Sequence, residues 1–408
     1  MKNYVKRDLE GEIKKYVKSK EIIAVVGSRR CGKTTIVENI LKDQEGKINK
    51  ISFDDLKILR LFEEDIDVFI EEHVKGYDIV FIDEVQYSKN SGKKLKYIYD
   101  TSWTKIIISG SSAAELSIQS LKYLVGRIFI FNLYTFSFRE FIRAKEKNLE
   151  KYLERDSIPE VILENLNKHI EEYLLYGGYP RVVLSETKEE KKKVLEGIFN
   201  TYLLKEIREI LDLSDDYKLM NLIKSLSLQT GNIINYNELS KISGFSYHDL
   251  KKYLNILEKT FILKQIKPYF TNKRTEIVKS PKVYFFDLGF RNIVIDNFQK
   301  ERTDTGSMYE NFVFSELIMN NIDTRYWNTK SGAEVDFIVE KHGKIIPIEV
   351  KSNLNEMTIT KSFRSFLKKY SSKKGFFISK NYLGRRKDEK ANIYFLPFVL
   401  INNLMSNM

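Results

Sequence analysis

Gly27-Ser28-Arg29-Arg30-Cys31-Gly32-Lys33-Thr34 follows the apolar run Glu21-Ile22-Ile23-Ala24-Val25-Val26 and opens a helix-periodic stretch, and its reading decides the fold. The spacing is G-x-x-x-x-G-K-[ST], and a strand before it with a helix after it is the context the motif's chemistry requires. Glycines at 27 and 32 let backbone N–H groups close around a phosphate. Lys33 is long enough to reach β and γ oxygens, and the Thr34 hydroxyl is a ligand for Mg²⁺. Ser28, Arg29, Arg30, Cys31 and Thr35 complete the candidate ATP cradle; no redox role is expected of Cys31.

The neighbouring strands carry the rest of that site. Ile79-Val80-Phe81-Ile82-Asp83-Glu84 is an apolar strand ending in two carboxylates. Asp83 would hold the Mg²⁺ shell and Glu84 would polarise the attacking water, since hydrolysis needs a base in line with the γ-phosphate. Ile106-Ile107-Ile108-Ser109 runs into Gly110-Ser111, so Ser109 and Ser111 are either sensors of the γ-phosphate or an ordinary Ser/Gly turn. Gly126-Arg127 precedes a further strand. Arg127 there is either a finger for a neighbouring subunit's nucleotide or a surface cation. With KINKISFDD and GRIFIFNLY these strands alternate with helical stretches, the pattern of a parallel α/β sheet over residues 1–145.

The chain has 408 residues, room for two to four domains at about 100–200 residues each. Its 42% hydrophobic content excludes a disordered chain. One cysteine and four histidines exclude an internal disulfide and a cysteine-rich zinc site. Apolar runs fall short of the roughly 18 residues of a membrane span, and the opening residues lack a signal-peptide core, so no membrane partner and a cytoplasmic location are expected. The net charge of +12 favours polyanionic partners, although a lysine-heavy composition alone also produces it.

Past the sheet, residues 146–230 are charged and helix-periodic, a lid or bundle broken by YGGYPRVV. Over residues 231–275 a short helix (YNELSKIS), a turn at Gly244, a longer helix and a strand (FILKQIKPYF) suit a winged helix-turn-helix. Its candidate DNA contacts are Lys251, Lys252, Lys273 and Arg274, with His248, Lys259, Lys264 and Lys267 nearby; such modules also serve as protein contacts. Residues 276–408 read as an α/β module that opens with the strand KVYFFD and contains a hairpin, AEVDFIVE and KIIPIEVK, joined by KHGK.

In that hairpin Asp336, Glu349 and Lys351 share a pattern that free spacing makes common by chance. Strand geometry adds weight: Glu349 and Lys351 face one way, Ile348 and Val350 the other, and Asp336 lies between apolar Val335 and Phe337. Asp336 and Glu349 can hold a divalent ion, Lys351 can orient or stabilise a hydroxide, and Glu310 on the preceding helix can supply a fourth group. The alternative is an exposed polar face of an antiparallel edge.

GSRRCGKTT, FIDEVQ, ISGSSA, LVGR with FSFREF, YGGYP, SPKVYFFDLGF, YENFVFSEL, YWNTKSGAEVDFIV and IPIEVKS, in this order, resemble a family of prokaryotic predicted ATPases. Those proteins join an AAA+ core to a winged helix and a PD-(D/E)XK nuclease-like domain, and the resemblance covers nearly the whole chain. It implies ATP and Mg²⁺ bound by Lys33, Thr34, Asp83 and Glu84 in their standard roles, and Arg127 as finger or sensor in a homo-oligomer. It also implies a restriction-endonuclease fold with Glu310, Asp336, Glu349 and Lys351 matching in type and order. Ser28 stands where proline is frequent in that family's loop. The expected function is an ATP-hydrolysing protein acting on DNA. The alternative is an ATPase switch whose C-terminal half is an inert module binding a protein or DNA.

Overall fold

The computed structural model describes residues 4–111, 121–211, 213, 216–272, 274, 276 and 279–408. The chain divides into two compact units, one of residues 1–135 with 255–261, the other of residues 136–254 with 262–408.

In the first unit, β1 (Ile22–Gly27), β2 (Ile48–Ser52), β3 (Ile79–Asp83), β4 (Lys105–Ser111) and β5 (Ile128–Leu133) form one sheet in the order β2-β3-β4-β1-β5. Every pair is parallel. All residues of β1 and β4 are buried, as expected of Val/Ile-rich strands covered on both faces. The helix Lys33–Lys42 packs Ile36, Val37, Ile40 and Leu41 against Ile23 and Val25. Each such buried aliphatic side chain stabilises the fold by roughly 1.5–3 kcal/mol. Because the strands run the same way and β3, β4 and β1 are neighbours, Asp83, Ser109 and Gly27 lie toward the C-terminal ends of the strands, on one side of the sheet's rim.

In the second unit the helices Glu160–Tyr176, Lys188–Ile198 and Tyr217–Leu228 pack against the helix Leu288–Val294, and Phe138–Lys145 packs against Glu160–Tyr176. Two stretches carrying the family resemblance lock together there. Gly178 N donates to Asp287 Oδ2 at 2.8 Å. A Cβ at Gly289 would sit 2.0 Å from the Tyr176 carbonyl oxygen, so only glycine permits that approach.

The helices Tyr236–Ser243 and Tyr247–Lys259 follow. Asn235 caps the first by accepting from Asn237 N and Glu238 N, and Gly244, at φ 72°, ends it. Next comes β6 (Leu263–Ile266), shorter than expected, which pairs antiparallel with β7 (Lys282–Phe285). This corrects the reading of KVYFFD: it does not open the C-terminal sheet but completes a two-stranded sheet after the helix pair. Local pattern shows that a strand exists, whereas pairing across the intervening loop is not a local property.

The C-terminal sheet is mixed and has six strands in the order β12-β13-β11-β10-β9-β8: β8 (Thr324–Asn328), β9 (Glu334–Lys341), β10 (Lys344–Val350), β11 (Lys374–Ser379), β12 (Gly384–Asp388) and β13 (Ala391–Pro397). The β9–β10 hairpin forms where expected. His342 at φ 51° and Gly343 at φ 72° are its two turn residues, the left-handed pair a tight hairpin favours. Trp327, Phe363, Phe366, Phe377 and Phe395 fill the core on one face. Among the described residues no helix is long and apolar enough to cross a membrane.

Candidate functional site

The P-loop keeps its shape for steric reasons. A Cβ at Gly27 would lie 2.1 Å from Leu133 O, and Gly32 holds φ 99° at the start of the helix. Arg30 takes a left-handed φ of 62°. Cys31 is buried in the core beneath the loop, while Arg30 and Thr35 are exposed. Lys33 is 5% exposed, and its ammonium folds over the loop to donate to Gly27 O at 3.3 Å and Ser28 O at 3.0 Å.

Asp83 gathers the neighbouring groups. Thr34 Oγ1 donates to its Oδ2 at 2.7 Å, Ser109 Oγ donates to Oδ1, and Glu84 N donates to Oδ1 at 3.1 Å. Ser109 therefore orients the carboxylate in this structure. Ser111 acts through its backbone, whose N–H donates to Gln86 Oε1 at 3.1 Å. Gln86 Nε2 in turn donates to Glu84 Oε2.

Glu84 has φ 56° and ψ 43°. A left-handed residue other than glycine costs about 1–3 kcal/mol and tends to persist at functional positions. Gln86 was missed by the sequence reading, though it stands two residues beyond Glu84. Arg7 was missed as well: its guanidinium donates to Cys31 O at 2.9 Å and Tyr134 O at 2.7 Å, tying the loop to the end of β5. No local motif marks it.

The cradle fits a nucleotide with its cation. Its glycines leave open the space side chains would fill, and Thr34 and Asp83 bring two oxygens to 2.7 Å, the donor type a hard divalent ion takes. Arg127 stands elsewhere. It precedes β5, pairs with Asp100 at 3.1 Å and lies over the Tyr99 ring. That is the N-terminal end of the strands, about 20 Å from the P-loop at about 3.3 Å per strand residue, which speaks against a sensor of its own subunit's nucleotide.

The carboxylates of the second unit converge. The β9–β10 register pairs Ile348 with Phe337, and one step further it sets Glu349 beside Asp336. Val350 N donates to Asp336 Oδ2 at 2.7 Å, and Lys351 Nζ lies 2.7 Å from Glu349 Oε1. Glu349 Oε2 is buried with no hydrogen-bond partner. The alternative of an exposed edge is corrected, because β9 and β10 are interior strands and Glu349 is only 5% exposed.

Glu310, on the helix Thr305–Met319, reaches the same place by an unexpected route. Lys282 Nζ on β7 lies 3.2 Å from Glu310 Oε1 and 2.5 Å from Glu334 Oε1, and Tyr284 OH donates to Glu310 Oε1. Lys282, Tyr284 and Glu334 were all missed by the sequence reading; a lysine leading an apolar strand reads as a solvated end.

The electrostatics follow from burial. Burial first, then Glu310 and Glu349, push Asp336 well above the usual carboxylate range. Burial also raises Glu349, against the pull of Lys351. For Lys282 burial works against the ammonium, but Glu310, Asp336 and Glu334 outweigh it and hold the pKa above its ordinary value. Among the described residues no three His, Cys, Asp or Glu side chains gather as a metal-binding group. The pair Asp336 and Glu349 remains, and the unpartnered Glu349 oxygen fits a cation.

Of the candidate nucleic-acid contacts, Lys251, Lys252 and Arg274 are exposed, as are His248, Lys259 and Lys267. Lys251 lies 4.6 Å over the Tyr247 ring and Lys252 5.8 Å over the Tyr253 ring. Lys273 lies outside the described residues.

A family model described as an AAA domain matches residues 19–142, and two domains of unknown function match residues 167–301 and 305–400. On its fold, its site and that match, the N-terminal unit is an AAA-type P-loop domain.

An uncharacterized protein of Haemophilus influenzae is 28% identical over 284 residues, which cover 68% of this chain and 66% of that protein. The chain thus spans about two thirds of that relative's length. An uncharacterized protein of Methanocaldococcus jannaschii is 25% identical, with 96% of this chain and 86% of that protein covered. Among solved structures, the Walker-type ATPase of Pyrococcus abyssi aligns at 17% identity and a TM-score of 0.49, covering 72% of this chain and 96% of that one.

Proposed function

We propose that this protein binds ATP with Mg²⁺ at the P-loop, hydrolyses it, and acts on DNA through its second unit. The observation that carries the ATPase reading is the 2.7 Å hydrogen bond between Thr34 and Asp83, with Glu84 next in sequence. Lys33 neutralises phosphate oxygens after leaving the loop carbonyls, and Thr34 and Asp83 hold the cation. Glu84, pinned by Gln86, accepts a proton from the attacking water. Mg²⁺ supplies charge neutralisation at the phosphates.

In the second unit the reading is a winged helix followed by a nuclease-like domain. The helix pair with its two-stranded sheet supports the first part, and the exposed cations of the second helix offer phosphate contacts. Asp336 and Glu349 would hold a divalent ion, and Lys351 beside Glu349 would orient or stabilise a hydroxide for phosphodiester cleavage. The second reading, an inert module binding a protein or DNA, is favoured by the lack of a three-carboxylate metal group among the described residues.

The test is cleavage of DNA with Mg²⁺ or Mn²⁺ by the wild type, Asp336→Ala and Lys351→Ala. Metal-dependent cleavage lost in both variants is expected; its absence from the wild type moves the reading to the inert module. DNA binding should weaken as salt rises, and salt-independent affinity counts against phosphate contacts.

A further inference from the structure

Lys282 is a second lysine, besides Lys351, among the carboxylates of this site. It is 3% exposed, leads β7 rather than either strand of the hairpin, and touches Glu310 and Glu334 at once. Burying an ammonium is costly unless charges and hydrogen bonds offset it, and here two carboxylates do so. Tyr284, two residues on and therefore on the same face of β7, donates to the same Glu310 oxygen. Glu310 Oε1 is thus already engaged by two donors before any ion arrives.

The hairpin pair keeps an acceptor for an ion: Lys351 engages Glu349 Oε1 at 2.7 Å, while Glu349 Oε2 is buried without a hydrogen-bond partner. At Glu310 and Glu334 the Lys282 ammonium already stands against the carboxylate oxygens.

We propose that Lys282 is a resident cation of this site: its ammonium stands between Glu310 and Glu334 where a second divalent ion would otherwise bind, so the site takes one ion, at Asp336 and Glu349. This rests on the reading of Asp336 and Glu349 as cation ligands. Lys282 acts as a positioning residue. It fixes Glu310 beside the ion's place without touching the ion, and it makes the strand next to the helix pair part of the carboxylate site.

The test counts bound Mn²⁺ by electron paramagnetic resonance and calorimetry on the full chain, without nucleotide and in an Asp83→Asn background that removes the P-loop ion. One Mn²⁺ per chain is expected, lost on adding Asp336→Asn. Lys282→Met should bind two, the second lost again on adding Glu310→Gln. Lys282→Gln, which keeps a donor toward Glu310 and is the safer variant for folding, should also bind two, and Lys282→Arg one.

Two ions on the Lys282-containing chain, or one ion on both neutral variants, would overturn the proposal while leaving the site's cation reading intact. If neither the Lys282-containing chain nor the neutral variants bind Mn²⁺, the cation reading fails and the proposal with it.

Discussion

The two candidate sites are assembled in opposite ways. The P-loop site draws its cradle from one run of nine residues, Gly27 to Thr35, and needs β3 and β4 only to deliver Asp83, Glu84 and Ser109 to the same C-terminal end of the strands. The carboxylate site takes one or two residues each from a helix, two strands of the six-stranded sheet and one strand of the separate two-stranded sheet. A site of the first kind survives as a motif in the sequence. The second kind exists only once strands have chosen their partners, and its spacing carries little information.

The difference sets how each site should break. Lys33→Ala removes the lysine that the G-x-x-x-x-G-K-[ST] run supplies for the phosphates, and the turnover number should fall by about 10²-fold or more, measured by phosphate release. Glu84→Gln should cost about 10²–10⁴-fold in turnover while nucleotide affinity stays near wild type, the signature of a lost base rather than a lost binding group. If Glu84→Gln turns over normally, the base lies elsewhere and the left-handed Glu84 is only a structural oddity.

Asp336→Asn should leave ATP turnover unchanged, because the two sites share no residue, and should abolish metal-dependent cleavage. A fall in ATP turnover there would show the sites to be less separate than their construction suggests. Gln86→Ala should have the smallest effect. It frees Glu84 without removing it, and about a tenfold loss in turnover is expected. An inactive Arg127→Ala subunit mixed with an inactive Lys33→Ala subunit tests a shared site directly: partial recovery is expected of an arginine acting in trans, and none if Arg127 only anchors Asp100 and Tyr99.

How much was legible follows from the same distinction. All five strands of the first sheet were readable: β1, β3 and β4 are buried, short apolar runs, and the half-exposed edge strands β2 and β5 still carry regularly placed Ile and Phe. The β9–β10 hairpin was readable from its alternation and its His342-Gly343 turn. The partner of β7 was not, since pairing with β6 depends on tertiary contact, and with that pairing went Lys282 and Tyr284. Asp336 and Glu349 were read as outward-facing. The burial of Glu349, and the charges of Glu310 and Lys282 that act on Asp336, come from tertiary packing, which alternation alone does not report. Gly177, Gly178 and Gly289 carried the family resemblance without a stated reason; the approach of Tyr176 to Gly289 and the Gly178–Asp287 bond supply it.

The central claim is that one chain turns over ATP in its first unit in response to nucleic acid engaged by its second. The most direct measurement is ATP hydrolysis by the purified protein with and without double-stranded DNA, single-stranded DNA and RNA, with Lys33→Ala as the blank. The account predicts turnover that Lys33→Ala abolishes and that DNA raises. A basal rate unchanged by every nucleic acid would contradict the coupling to DNA and leave a switch for a protein partner, and a rate equal to that of Lys33→Ala would contradict the account at its first step.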